Sequence, residues 1–544
     1  TTAVSDGSTG TNDAVKAGTG GISVSAADTS TIRATSVALA VSANLSGKSS
    51  SSGTQPSVAI GAALANNEIG SDVTARIVQV ADLATPGAVT LSASRSATIF
   101  AQTFAASIEA AVSGQGKGFG VSGGGAVSLN TVGGSTVAEL TGSTVGNGTD
   151  AASRVGSLDV LATDTARIAA LTGALAIAAN GSAEGKASGV AVCASVSNNV
   201  ISAGAVVRAT ISGTPVRSTG AVRAAATSSQ TIDATTIAVS IGVSASGSDQ
   251  AVAVSLGGSV ARNVIDIATT AQILGAVAIE AGSVAVRADN SSAASANVGA
   301  VSIAAAFGST TAASVALNSI SGNVSAGITD ATVTTLAGGV TVAATRTGTI
   351  GTKAAAASVA VGIGGEKGIG VAGAGVAAVN RINSSTTAEA ANAKIDAQGA
   401  VAVSASSTAT ITADILSAAV SVGGGSDSAG AGALGLAIAY NEIGGWTAYD
   451  EAKHSVSETP SLNGRAKVSA ALTDTTVKAT GALSVEATSG NTITANIAAI
   501  AAVVSASGDK AGAVTIGGTF AMNSIGLATL ATIDGDGIGA TPGI

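Results

Sequence analysis

Residues 399–443 read GAVAVSASSTATITADILSAAVSVGGGSDSAGAGALGLAIAYNEI, and the plan of the whole chain is contained in them. Gly399-Ala-Val-Ala-Val-Ser-Ala405 alternates β-branched and small residues, which marks a short strand. Thr410-Ile411-Thr-Ala413 leads into a longer alternating strand that ends near Val422. Gly423-Gly-Gly-Ser-Asp427-Ser then reverses the chain, because Gly supplies positive φ and Asp tolerates it. A second long strand returns from Ala433 to Ile443 and ends on Asn-x-Ile, with Asn441 as its Asn.

The same marks recur through all 544 residues. A Gly opens the short strand at Gly20, Gly87, Gly156, Gly220, Gly282, Gly338, Gly399 and Gly481, and Gly543 follows near the last residue. Successive spacings are 67, 69, 64, 62, 56, 61, 82 and 62 residues. Twelve residues after each of the first eight stands Ile32, Ile99, Ile168, Ile232, Ile350, Ile411 or Ile493, with Ala294 the exception. The returning strands carry Asn67, Asn130, Asn199, Asn263, Asn318, Asn380, Asn441 and Asn523. Repetition of this length predicts an array in which each unit leans on its neighbours. The expected fold is all-β, a repetitive β-solenoid or stacked β-hairpin array of about eight repeats of ~65 residues.

The boundaries follow the glycines: a partial repeat 1–19, then 20–86, 87–155, 156–219, 220–281, 282–337, 338–398, 399–480 and 481–542, with 543–544 opening the next. The chain thus starts and stops part-way through a repeat, as a window cut from something longer or a processed product would. Repeat length varies at the reversals while the strands keep phase, as hairpins that tolerate insertion do.

Counting back from each Asn exposes a packing code. Two residues earlier stand Ala65, Ser128, Ser197, Ala261, Ala316, Ala378, Ala439 and Ala521; six earlier stand Gly61, Gly124, Cys193, Gly257, Ala312, Ala374, Gly435 and Gly517. Alternation puts these small residues on one strand face, where another backbone can approach closely. Larger groups such as Leu64, Val127 and Ile438 take the other. The Asn column then either stacks as an amide ladder along the axis or bonds its own turn.

Composition excludes several classes. Charged residues are 10% and aromatics 1%, and mean hydropathy is +0.51; disorder needs the opposite balance. Net charge is −8 and pI about 4.8, so nucleic acid is not an expected partner. No stretch reads as a transmembrane helix, and five Phe, two Tyr and one Trp cannot build the girdles of a membrane barrel. Charges gather at the reversals, including Lys48, Lys117, Glu184, Lys186, Asp249, Glu366, Lys367, Asp427, Asp509 and Lys510. They serve either as solvated tips or as stitching between fibres.

Chemistry is sparse. The one Cys, Cys193, and the one His, His454, lie in different repeats, and Cys193 occupies a small-face position suited to a buried hydrophobe. Catalytic, metal and cofactor residues are therefore expected to be none. Asp534-Gly-Asp536-Gly resembles only a fragment of a calcium loop and reads first as a turn. The one irregularity is an insertion at 446–466, which holds Trp446, Tyr449 and His454 and a stretch, 448–454, of helical propensity. Decorated loops on monotonous scaffolds carry contacts, so Trp446, Tyr449 and His454 are candidates for touching a partner, with packing on the array as the plain alternative. If 448–454 is helical, Asp450 and His454 could share a metal; a carbohydrate-active β-helix enzyme is the remaining alternative only if the 446–466 loop, with Asp450, Glu451 and Glu458, forms a site with a neighbour.

Gly399 to Ala405, Thr410 to Ala413 and Gly435 to Ile443, with counterparts in every repeat, resemble the repeats of giant bacterial surface proteins, the leukotoxin-type filamentous adhesins. The resemblance implies secretion, a cell-surface or extracellular place, and fibre formation without catalysis. No secretion domain or anchor appears within these residues. Function is accordingly expected to be that of a rigid scaffold in a fibrous adhesin, or of a subunit that stacks into a filament or sheath. Expected partners are like chains, adjacent repeats of the same polypeptide, or cell-surface glycans and proteins.

Overall fold

A computed structural model describes residues 2–6, 14–47, 54–148, 153–247, 250–445, 449–450, 455–456 and 465–535. Its fold is all-β, with parallel sheets wound as a solenoid. One coil shows the path. Ala88–Arg95 is a short strand, Thr98–Ser113 a long outbound one, Lys117–Gly133 a long return, and Thr136–Thr141 a short base strand. Each lies between its counterparts one coil before and one coil after, always in parallel. Thr98–Ser113, for example, sits between Thr31–Ser46 and Arg167–Ser182. Short and outbound strands make one sheet; return and base strands make the other.

Strict parallel register explains the recurring residues. Ile32, Ile99, Ile168, Ile232, Ala294, Ile350, Ile411 and Ile493 form one column across the outbound strands. Where coils lie on both sides, as at Ile99, Ile168 and Ile232, the side chain is fully buried. The opening glycines obey a steric rule. Gly156, Gly220, Gly282 and Gly338 each donate their N–H to the carbonyl of the preceding glycine in the column. A Cβ on Gly156 would come within 2.6 Å of the Pro86 carbonyl oxygen, and one on Gly282 within 2.7 Å of that of Thr219. Only Gly lets successive coils stack this closely.

The reversals are arches, and the expectation of stacked hairpins is corrected. Among the described residues, the one antiparallel pair is Tyr449–Asp450 with Ser455–Val456. Outbound and return strands belong to different sheets and meet through side chains, as where the Ser107 and Ser122 hydroxyls lie 2.7 Å apart. Gly-rich turn chemistry suits either geometry. Arches prevail because they leave each interior strand two parallel partners, in a register interrupted between Ile201 and Ala205 and between Leu274 and Val277.

Two interiors result. At the base, aliphatic side chains fill the space: Leu91 and Val160 of the short strands and Ile77, Leu140 and Ile211 of the base strands are fully buried. In the projecting arm, the strands face each other mainly through small residues, above all Ala, with a few larger ones such as Val298, Val376 and Ile415. A Cβ on Gly124 would stand 2.5 Å from the Leu175 carbonyl oxygen, and one on Gly435 2.8 Å from that of Ile500. The small-residue face is thus the inner one. Return strands contact the outbound strand of their own coil, as at Ser107 and Ser122, and that of the following coil, as at Gly124 and Leu175.

Candidate functional site: an amide ladder and a buried polar column

The Asn side chains lie in one register column at the junction of arm and base. Asn67 donates its amide to the Oδ1 of Asn130 at 2.8 Å, Asn130 to Asn199 at 2.8 Å and Asn199 to Asn263 at 2.9 Å. Asn263 to Asn318 and Asn318 to Asn380 follow at 2.9 Å, then Asn380 to Asn441 and Asn441 to Asn523 at 2.8 Å. The second amide proton also finds a partner: Ser128 for Asn130 and Ser197 for Asn199, each at 3.0 Å, and Thr352 for Asn318 at 2.8 Å. A buried amide needs this, since an unmet donor costs about 1–3 kcal/mol.

A second polar column escaped the sequence reading. Asp28, Arg95, Asp164, Ser228, Asn290, Arg346, Ser407 and Ser489 occupy one register position where the short strand ends. Each stands four residues before the Ile or Ala of the Ile column, so the signal was present as position but not as identity. Arg95 bonds Asp164 at 2.5 Å and donates to the Gly133 carbonyl at 2.6 Å. Arg346 is buried and has no carboxylate partner among the described residues; it donates to the Gly322 carbonyl at 3.0 Å and to Ser384. Burial lowers its pKa to about 10.

Placement of the remaining candidates is uneven. Trp446, His454, Glu451, Glu458 and Asp536 lie outside the described residues, as do Lys48 and Asp249. Tyr449 and Asp450 are extended and pair with Ser455 and Val456, so helical structure there is corrected to strand. The insertion leaves the coil through Gly444 and Gly445, whose φ values of +89° and +74° suit glycine. It closes where the Ala466 N–H reaches the Gly444 carbonyl at 2.8 Å. Ala466 itself already opens the strand Ala466–Thr473, so the insertion stops short of it. Beside its exit, the Tyr440 hydroxyl donates to Glu442 at 2.9 Å and the Arg381 guanidinium stacks on the Tyr440 ring. Burial, reinforced by Glu442, raises Tyr440 to about 12.

Cys193 is buried in the arm and burial pushes its thiol up to about 12, which keeps it protonated and unreactive. Lys117, Glu184, Lys186, Glu366, Lys367, Asp427, Asp509 and Lys510 are exposed at the arches. Among the described residues no three His, Cys, Asp or Glu side chains gather where they could hold a metal, and no helix is long and apolar enough to cross a membrane. The chain matches no protein-family model, no curated protein and no solved structure.

Proposed function

We propose that the chain is a rigid, non-catalytic scaffold, the repeat region of a large extracellular fibrous adhesin or surface filament, with about eight repeats of ~65 residues. The observation that carries this reading is the unbroken amide ladder from Asn67 to Asn523. In a solenoid, stability is a sum of unit and nearest-neighbour terms. A buried hydrogen bond at every neighbour contact stiffens the rod without needing a catalytic or ligand cavity. Partners in this reading are like chains or adjacent repeats, with cell-surface glycans or proteins met through the insertion that carries Trp446, Tyr449 and His454.

The alternative form of the same scaffold is a subunit that stacks end to end into an extracellular filament or sheath. The mass of the fully denatured polypeptide from its native source separates the two. A mass far above 50.5 kDa means coils continue along one giant chain; a mass near that value means a self-assembling subunit. Recovery of the native polypeptide only from inside intact cells would overturn both.

A further inference from the structure

The arm is inverted relative to an ordinary sheet sandwich. Along Thr98–Ser113 the inward residues include Thr103, Ala105 and Ser107, and the outward ones Phe104, Ala106 and Ile108. Register carries the pattern from strand to strand: Ile108, Ile177, Ile241, Ile303 and Val359 form one outward column. Four outward positions on each of eight described strands, from Val37–Ala43 to Ala498–Val504, hold only Gly, Ala, Val, Ile, Leu or Phe. Exposure is not an end effect. Ile108 and Ile237, with coils on both sides, remain 38% and 44% exposed.

Eight strands about 4.8 Å apart, each offering about 25 Å of outward length, make roughly 900 Å² of continuous apolar face. Monomeric proteins rarely leave so large a patch open, and a standard interface needs only about 800 Å² per partner. The face has relief: Gly299 and Ala355 floor an open depression of about 790 Å³ between Ile237 and Leu416. It also has a polar margin, where Asn297, Lys353, Asp414 and Asn496 follow one another in register. An apolar centre with a rim of both charge signs is the anatomy of a protein interface.

We infer that this outward face docks a second copy of the chain, sheet on sheet. A second copy brings ridges at the same strand pitch and a rim with the complementary charges, Lys353 against Asp414. Hydrocarbon fits less well, because it offers no partner to the rim groups Asn297, Lys353, Asp414 and Asn496. Face docking is independent of end-to-end growth, which uses strand edges: one widens particles, the other lengthens them.

The test is analytical ultracentrifugation of the chain together with electron microscopy of particle width. The wild type is expected to pair side by side, and Ile241→Lys with Ile303→Lys to weaken pairing by roughly tenfold or more, since a desolvated unpaired charge opposes docking. Ile241→Thr with Ile303→Thr keeps β-branched side chains and is expected to weaken pairing with its thermal midpoint near wild type. Single-width wild-type particles at tens of micromolar overturn the inference. So does pairing that neither variant disturbs, and so does single-width chain that floats with phosphatidylcholine vesicles.

Discussion

Arg95 and Asp164 stand in adjacent short strands of one ladder, joined at 2.5 Å, with neither side chain reaching solvent. A charge buried this way depends on its partner. The pair lies where the sheet turns from base to arm, and Arg95 also holds the Gly133 carbonyl of the opposite sheet. It therefore ties two sheets and two coils at one corner.

Removing one member should cost far more than removing both. Asp164→Ala leaves the guanidinium buried and unpaired, with an expected loss of about 3–5 kcal/mol. Arg95→Met with Asp164→Leu should lie within about 2 kcal/mol of wild type. Chemical denaturation of the three proteins checks the ordering, and equal midpoints for the single and double variants would refute it.

Breaking the amide ladder should matter most in its middle. Asn199→Leu strands the Asn130 amide and the Asn263 carbonyl oxygen in a buried column, at about 1–3 kcal/mol for each unmet group. Asn523→Leu removes a single ladder bond from an exposed terminal position and should cost less than half as much. Hydrogen exchange at Val200 and Val264, compared between the variants, reports whether the loss spreads to neighbouring coils.

Ala439 is buried against the facing sheet, and Asp427 is exposed at an arch. Ala439→Leu should destabilise by about 1–3 kcal/mol through overpacking, whereas Asp427→Lys should stay within about 0.5 kcal/mol. Equal thermal midpoints for the two variants would sink the packing code.

Glu109 lies on the inner face of the arm, and burial raises its carboxyl pKa above the usual value, an effect that Ser57 and Asn180 only partly oppose. A raised folded-state pKa means the folded chain holds the proton more tightly than the unfolded chain does. Its contribution to stability is complete below the unfolded value and fades as pH rises through the folded one. Glu109→Gln should match wild type in acid and exceed it at neutral pH. Unfolding midpoints followed from pH 4 to pH 8 check this, and parallel curves for the two proteins would exclude Glu109 as the source.

What could be read from the sequence was whatever a repeated constraint forces to one residue type. Gly156 and Gly282 recur because a Cβ would strike the coil beneath, and Ile99 and Ile168 because one buried slot repeats. Asn130 and Asn199 recur because a carboxamide has separate donor and acceptor atoms, so it donates to the next coil while it accepts from the last. The Arg95 and Asp164 column stayed hidden, since several polar types satisfy the same corner. Arches passed for hairpins because Gly423-Gly-Gly-Ser-Asp427 permits either, and only strand pairing decides between them. Nothing repeats at 446–466, so periodicity offered no guide to Trp446, Tyr449 and His454.

Every amide in the ladder points the same way: the nitrogen of each Asn faces the oxygen of the next coil, from Asn67 through Asn523. Coils related by translation alone give the rod a sense of direction, like an arrow. Any cut across it breaks one ladder bond and leaves an amide donor on one surface and an amide oxygen acceptor on the other. A molecule that caps one surface through that group meets the opposite polarity on the other, so the two ends of such a rod are chemically distinct.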